Sequence, residues 1–506
     1  MSKRPFVSRF IDTSNQLLLR YRQRRQVRPD YAVPAGAQPG DIHLEPATFR
    51  TRTYEVPAQQ GYLIVAEDPQ APTGRLLSLP IIRTEAEVAD PGLPVYWFTT
   101  GPGSSNMLAA PPDWLLRRHP ITILGYRGVD GTVRLDSPEI VRAQKGQGHD
   151  LHSAASLAAF RQAVAAAVER WQREGIELKH YGFAAAVADV ESARAALGDE
   201  QILLLGEGYG GRIAQWYAAT YPEHVMRLAL LGPSGPDGLT WQPAEVTAVL
   251  DRYATLYERS GRHELAAMMQ QALGQMPRNW RLFPIDPGKV RFMAFSLLFD
   301  RKNGALLLDT LRAAADGDPA GLAMMTILYD VVINSSAQGA VGDLLAKSYL
   351  DEPLAETELG PYGLGSPLSQ LLEAGRSAWP LQQPGNLPAI PVPALLLNGN
   401  LDIAAPAAEM QAKLLPRLPD HHQITLRDAG HLNDLWRLQP EGVEKLLGGF
   451  LADGTVNEEA LRHEAIDFTV SQNLAAMMRL LWRVLWLLLG SAVACGVLAA
   501  LWQYLG

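Results

Sequence analysis

The chain has 506 residues, a net charge of −8 and one cysteine, Cys495. That length allows a large core, a second lobe and appendages. The acidic balance argues against nucleic acid as a main partner, and a single cysteine excludes both an internal disulfide framework and a cysteine-based metal site.

Residues 1–28 carry eight Lys and Arg side chains, interleaved with Phe6, Phe10, Leu17, Leu18 and Leu19. With no uninterrupted apolar run, this stretch is not expected to be a cleavable export signal. The basic arm, 1–41, reads either as a segment lying on anionic lipid or as a solvated, partly helical tail. From 42 to 82, β-rich runs at 53–56, 61–66 and 76–82 alternate with Pro- and Gly-bearing turns, as antiparallel strands at a sheet edge do. Strands are expected at 94–100 and 121–126, then helices at 153–174 and 184–197. Alternation on this scale predicts an α/β fold, a mostly parallel sheet with helices on both faces.

Residues 201–222 organise the rest. An apolar run, Ile-Leu-Leu-Leu, meets the cluster Gly206-Glu207-Gly208-Tyr209-Gly210-Gly211, and Ile213, Trp216 and Tyr217 follow at helical spacing. A buried strand turning sharply into a helix reads this way. Two motifs compete for it. Gly206, Gly208 and Gly211 match the dinucleotide fingerprint, which needs a carboxylate at the end of the next strand. The next strand, 225–231, ends in Leu-Gly-Pro-Ser with no carboxylate, which disfavours the dinucleotide reading; a nucleotide-binding module stays as a third class, and no cofactor or metal is expected. The other motif is the nucleophile elbow Gly-x-Ser-x-Gly, in which Gly208 stands at the serine position.

From 243 to 330 the pattern is helical, and to about 387 it is richer in Gly, Pro and Ser, so 234–390 reads as an inserted helical cap between core segments 42–233 and 391–450. Strands at 392–398 and 422–427 and helices at 405–415 and 432–450 restore the α/β pattern. A polar connector, 451–483, leads to residues 484–505. That stretch, which Val484 opens and Leu505 closes, holds no charge and would reach roughly 33 Å as a helix, enough for a hydrocarbon core of about 30 Å. Trp482 and Trp486 near one end, Trp502 and Tyr504 near the other, and Arg479 and Arg483 on one side alone predict a single-pass C-terminal transmembrane anchor with a cytoplasmic body. Ala492, Gly496 and Ala500 offer a face for self-association. Cys495 then reads as a small hydrophobe within it.

Four loops follow strands: Gly101-Pro102-Gly103, the glycine elbow, Asn398-Gly399-Asn400-Leu401-Asp402 and Asp428-Ala429-Gly430-His431. The order nucleophile, acid, histidine is that of the α/β-hydrolases. With Thr-Gly-Pro-Gly at 100–103, Tyr126-Arg127-Gly128, the elbow and Tyr221-Pro222-Glu223-His224-Val225, residues 94–450 resemble the proline iminopeptidase and tripeptidyl-aminopeptidase branch of that superfamily. The resemblance implies hydrolysis of an N-terminal peptide bond, with cap carboxylates holding the free amine; Glu352, Glu356, Glu358 and Glu373 are candidates. By position His431 is the base, Asp402 orients it, and the amides of Tyr209 with Gly103 or Ser104 form the oxyanion hole. Glu207 is expected to salt-bridge within its loop and Arg127 to tie loops together. Glycine cannot attack a carbonyl, so the expectation is a membrane-anchored protein of this branch that binds a peptide- or ester-like ligand with impaired catalysis. The alternative is a hydrolase using another nucleophile, such as Ser104, Ser105 or Ser234, or a water activated by His431.

Overall fold

The computed structural model describes residues 32–505 except 52, 100, 102, 237–240, 263, 337–339, 349–353, 355–357, 381–385 and 472, and except the side chains at 335–336, 489–490, 492–494 and 496–505. The basic arm to residue 31 therefore lies outside the described residues, as do Glu352, Glu356 and the small-residue face at Ala492, Gly496 and Ala500.

Among the described residues one nine-stranded sheet carries the molecule. Strands β1 (Ile42–Arg50), β2 (Glu55–Ala66) and β3 (Leu76–Thr84) form an antiparallel edge, and β3 pairs antiparallel with β5 (Ile121–Leu124). From β5 onward, through β4 (Val95–Phe98), β6 (Ile202–Glu207), β7 (Val225–Leu231), β10 (Ala394–Gly399) and β11 (His421–Leu426), every pairing is parallel. β4, β5, β6 and β10 are buried along their whole length, as strands covered on both faces must be. One apolar layer, including Trp97, Leu205, Leu397 and Phe450, fills one face. The other face packs Phe160, Trp171 and Ile213 and continues without a break into the lobe.

Ser153 caps the helix Ala154–Arg173 by accepting from the Ser156 amide, which places its start where the sequence suggested. Two expected helices differ. Residues 405–415 form a short α-turn, a π-turn at Met410–Leu414 and a 3₁₀ turn at Leu415–Arg417. Residues 432–450 split into Leu432–Arg437 and Pro440–Asp453, because Pro440 offers no N–H and biases its predecessor away from the α region.

The lobe contains helices from Pro243–Arg259 to Pro367–Arg376 and a small hairpin of β8 (Asn279–Trp280) and β9 (Phe283–Pro284). The C-terminal helix is Leu474–Leu505, 32 residues, and so starts inside the expected connector. Its first turns, Leu474, Ala475 and Met478, are buried against the lobe, whereas Leu480, Leu487 and Leu488 are exposed. Among the described residues no helix is long and apolar enough to cross a membrane. Most side chains of the expected span, 484–505, lie outside that description.

Candidate functional site

The elbow is built by close approach. A Cβ on Gly206 would sit 2.6 Å from the Gly211 Cα, and one on Gly210 would sit 2.4 Å from the Phe98 carbonyl. Only glycine lets strand β6 turn into the helix Gly210–Thr220 against β4 at this spacing. Between them Gly208 has φ +51°, in the left-handed region, and its amide donates to the Leu231 carbonyl at 2.9 Å. A Cβ there would point at His431, 3.2 Å from Nε2.

The structure brings Gly208, Asp402 and His431 together. His431 follows β11 and contacts Asp402, which follows β10, through Nδ1 and Oδ2 at 2.7 Å. The other oxygen of Asp402 accepts from the amides of Ala404 and Ala405 at 2.9 and 2.8 Å. A buried carboxylate that already accepts from two amides accepts from the ring as well, so Nδ1–H donates to it and Nε2 faces Gly208. The Phe299 carbonyl accepts from the His431 amide at 2.6 Å, which fixes the histidine loop to the lobe.

Asp434, one turn further on, braces the same loop by accepting from the amides of Gly430 and Arg301 at 2.7 and 2.9 Å. Burial, opposed by these amides, raises its pKa to about 6. The folded state therefore holds a proton that the unfolded state releases between about pH 4 and that value, and stability falls as pH rises through this window. Asp434→Asn keeps an acceptor for both amides, so it is expected to flatten the curve of Tm against pH between 4 and 6. A variant as steep as the parent would remove Asp434 as the source.

The Tyr209 amide stands at the start of the elbow helix, where backbone donors have no intrahelical partner. The two loop amides differ. That of Ser104 donates to the Gly101 carbonyl at 3.1 Å, and that of Gly103 donates to Asp343 Oδ2 at 2.8 Å. In this arrangement neither is available to an oxyanion. Asn106 positions their loop, donating to the carbonyls of Trp97 and Leu124 at 3.0 and 2.8 Å and accepting from the Thr99 amide at 2.9 Å.

Asp343 comes from the lobe helix Val341–Ser348, and its other oxygen pairs with Lys347; both side chains are fully buried. The Lys347 ammonium lies 5.9 Å from the Tyr209 ring centre. Burial, with the Arg127 charge beside it, pulls that ammonium down to about 7, against the attraction of Asp189 and Asp130. Sequence reasoning missed this pair. Its one signal was an Asp and a Lys four apart in a short, otherwise apolar helix, a spacing that ordinarily marks a solvated face.

Among the described residues Glu207 makes no salt bridge. It is buried and accepts from Thr99 Oγ1 at 2.8 Å and from the Trp436 indole, and burial raises its pKa. Arg127 is a fastener: its guanidinium grips Asp189 at 2.5 and 2.6 Å and three backbone carbonyls, those of Ala66, Glu67 and His180. Glu373 is engaged by the Leu354 amide and Arg376, and Glu358 is exposed. Ser105 caps a 3₁₀ turn, and Ser234 lies beside the elbow, its amide 3.3 Å from the Gly208 carbonyl.

A mostly parallel sheet whose strand–turn–helix elbow faces an Asp-oriented histidine defines the class as an α/β hydrolase-type fold. The chain belongs to the alpha/beta hydrolase fold family, whose model matches residues 146–438, more than half of it. It is similar to YuaR of Escherichia coli, provisionally described as a hydrolase, at 24% identity over 199 residues, 36% of this chain and 40% of that protein. It is also similar to the serine protease Hip1 of Mycobacterium tuberculosis, at 27% over 238 residues, 42% of each. The matches thus span about two fifths of the length of these curated relatives. A solved serine hydrolase from Cycloclasticus zankles aligns over 81% of this chain and 100% of its own, at 13% identity and a TM-score of 0.36, too low for any argument to rest on.

Proposed function

We propose that this chain is a membrane-anchored protein of the serine-aminopeptidase branch that retains the acid, base and elbow of the hydrolase site and binds peptide- or ester-like ligands without turning them over at hydrolase rates. One observation carries the reading: an Asp-oriented histidine presents Nε2 to Gly208, a position with no side chain. Removing a serine nucleophile costs on the order of a million-fold in kcat in a well-studied protease, and the remainder comes from binding and oxyanion contacts. Asp343 on the Gly103 amide supports the same reading, because it removes one of those contacts. The similarity to Hip1, itself a serine protease, supports the lineage.

The anchor is the second part of the proposal. The 32-residue helix, its exposed apolar side chains from Leu480 onward and the uncharged sequence 484–505 support it.

A fluorophosphonate probe, which esterifies activated serines, tests the first part. The expected result is no covalent labelling of the chain under conditions that saturate an active serine hydrolase. Labelling, with the modified residue mapped to Ser104, Ser105 or Ser234, would overturn it.

A further inference from the structure

Hairpin β8–β9 and the start of the C-terminal helix enclose a groove of about 540 Å³ lined by Arg281, Arg479, Trp482, Arg483, Trp486 and Leu487. Among the described residues the lining holds three guanidinium groups and no carboxylate. Arg479 is engaged by Asp318, which ties the helix to the lobe. Arg281 stacks between two indoles, 4.9 Å from the Trp280 ring centre and 4.8 Å from that of Trp482. Stacking uses the face of a guanidinium and leaves its edge donors for an anion, the geometry suited to phosphate. Arg281 also keeps a φ of +55° in a turn where glycine or asparagine would be relaxed, and strain of this kind gathers at functional positions.

Beside these arginines, large apolar side chains are exposed around the groove. Leu282 at the hairpin tip is 77% exposed, Leu487 70%, Leu488 64% and Trp486 56%, values that large apolar side chains rarely reach together in one place. Trp482 packs edge-on against both Trp280 and Phe283, so the tip and the helix flank form one surface. Arginine and tryptophan beside protruding leucine is the chemistry of a bilayer's head-group layer, where cationic and indole groups meet phosphate and aliphatic groups enter the acyl boundary.

We propose that this surface of the lobe rests on the bilayer and holds the phosphate of an anionic phospholipid, with Arg281 and Arg483 as its donors and Leu282 inserted below it. The proposal rests on the anchor reading, which puts the same helix into the same membrane a few residues further on. Charge complementarity selects this occupant. A second copy of the chain would set two arginine clusters face to face, whereas an anionic leaflet supplies the counter-charge.

The full chain, with Cys495→Ser and Leu282→Cys carrying an environment-sensitive fluorophore, is reconstituted into vesicles of phosphatidylcholine alone or with about one third phosphatidylglycerol as the anionic component. The label is expected to brighten and shift to the blue in the anionic vesicles. Arg281→Gln and Arg483→Gln should each move the docked–undocked balance back by roughly fivefold, and added salt should do the same. Arg483→Gln alters the helix flank and not the hairpin, so a misfolded hairpin cannot mimic its effect. A label equally open to an aqueous quencher in both vesicles, or unmoved by both arginine variants, overturns the proposal. Alkaline extraction of the same samples reads the anchor separately: a chain that washes off overturns the anchor, whereas one that stays with its label in water overturns the head-group site alone.

Discussion

Gly208→Ser is expected to make the chain a measurable hydrolase, faster than the parent by on the order of a thousandfold on aminoacyl amides or short-chain esters. The histidine and acid already stand in contact, with Nδ1 on Asp402 at 2.7 Å and Nε2 facing the substituted position. A serine Cβ would meet Nε2 at 3.2 Å and Leu432 Cδ1 at 3.4 Å, so both must give by a few tenths of an ångström. His431 is part-exposed and can move that far. The serine adopts φ near +51°, which costs a non-glycine about 1–3 kcal/mol, so the variant should also melt earlier than the parent. The rate falls short of a full million-fold gain because Asp343 keeps the Gly103 amide from the developing oxyanion. The measurement is turnover together with fluorophosphonate labelling of the full chain. A parent that is already as active as the serine form would show that the nucleophile lies elsewhere.

How much of this was legible before the structure depends on where the information sits. The elbow strand came out nearly residue for residue, since a run buried on both faces leaves little choice of period or boundary, and so did β7 (Val225–Leu231), whose apolar stretch from Leu228 to Leu231 is buried. The order elbow, Asp402, His431 was legible because each residue follows a strand and parallel strands gather their carboxyl ends at one edge. Strand β1, with Pro46 and a polar pattern, was not. An outermost strand tolerates a residue with no N–H and needs only one buried face. The break at Pro440 is written in the sequence, where the apolar period across 432–450 masks it.

The occupied oxyanion loop belongs to a different kind of information. Asp343 meets Gly103 across 240 positions in the chain, and neither residue's neighbours announce the other. The short helix Val341–Ser348 is drawn inward by Leu345 and by Ala340 and Val341 at its start, and this carries a carboxylate and an ammonium into the core together. Once there, each has to find partners, because an isolated buried charge costs several kcal/mol. The Gly103 amide is the partner Asp343 finds. Lys347 finds Asp343, with Asp189 and Asp130 near enough to be felt. A local motif cannot encode such a satisfaction rule, and so the same two loop amides that the resemblance assigned to an oxyanion are engaged by the protein itself.

That arrangement predicts what the second substitution does. In the Gly208→Ser chain, Asp343→Ala alone would release the Gly103 amide but strand Lys347 without its nearest counter-charge, at a cost of about 3–5 kcal/mol for half a broken buried pair. Asp343→Ala with Lys347→Met removes both charges at once, and replacing a buried ion pair by apolar groups is often neutral. The paired variant is therefore expected to fold as well as the serine form and to gain a further factor of about 10²–10³ in kcat, the usual worth of one oxyanion donor. The gain should appear in kcat more than in KM, since the Gly103 amide strengthens its hold as charge develops on the substrate oxygen. The same pair of substitutions in the Gly208 parent should change turnover little, because no nucleophile is present to generate that charge. Equal kcat in the serine chain with and without the paired change, at unchanged Tm, would show that the Gly103 amide is not an oxyanion donor and that Asp343 and Lys347 serve only to seal the core behind Tyr209.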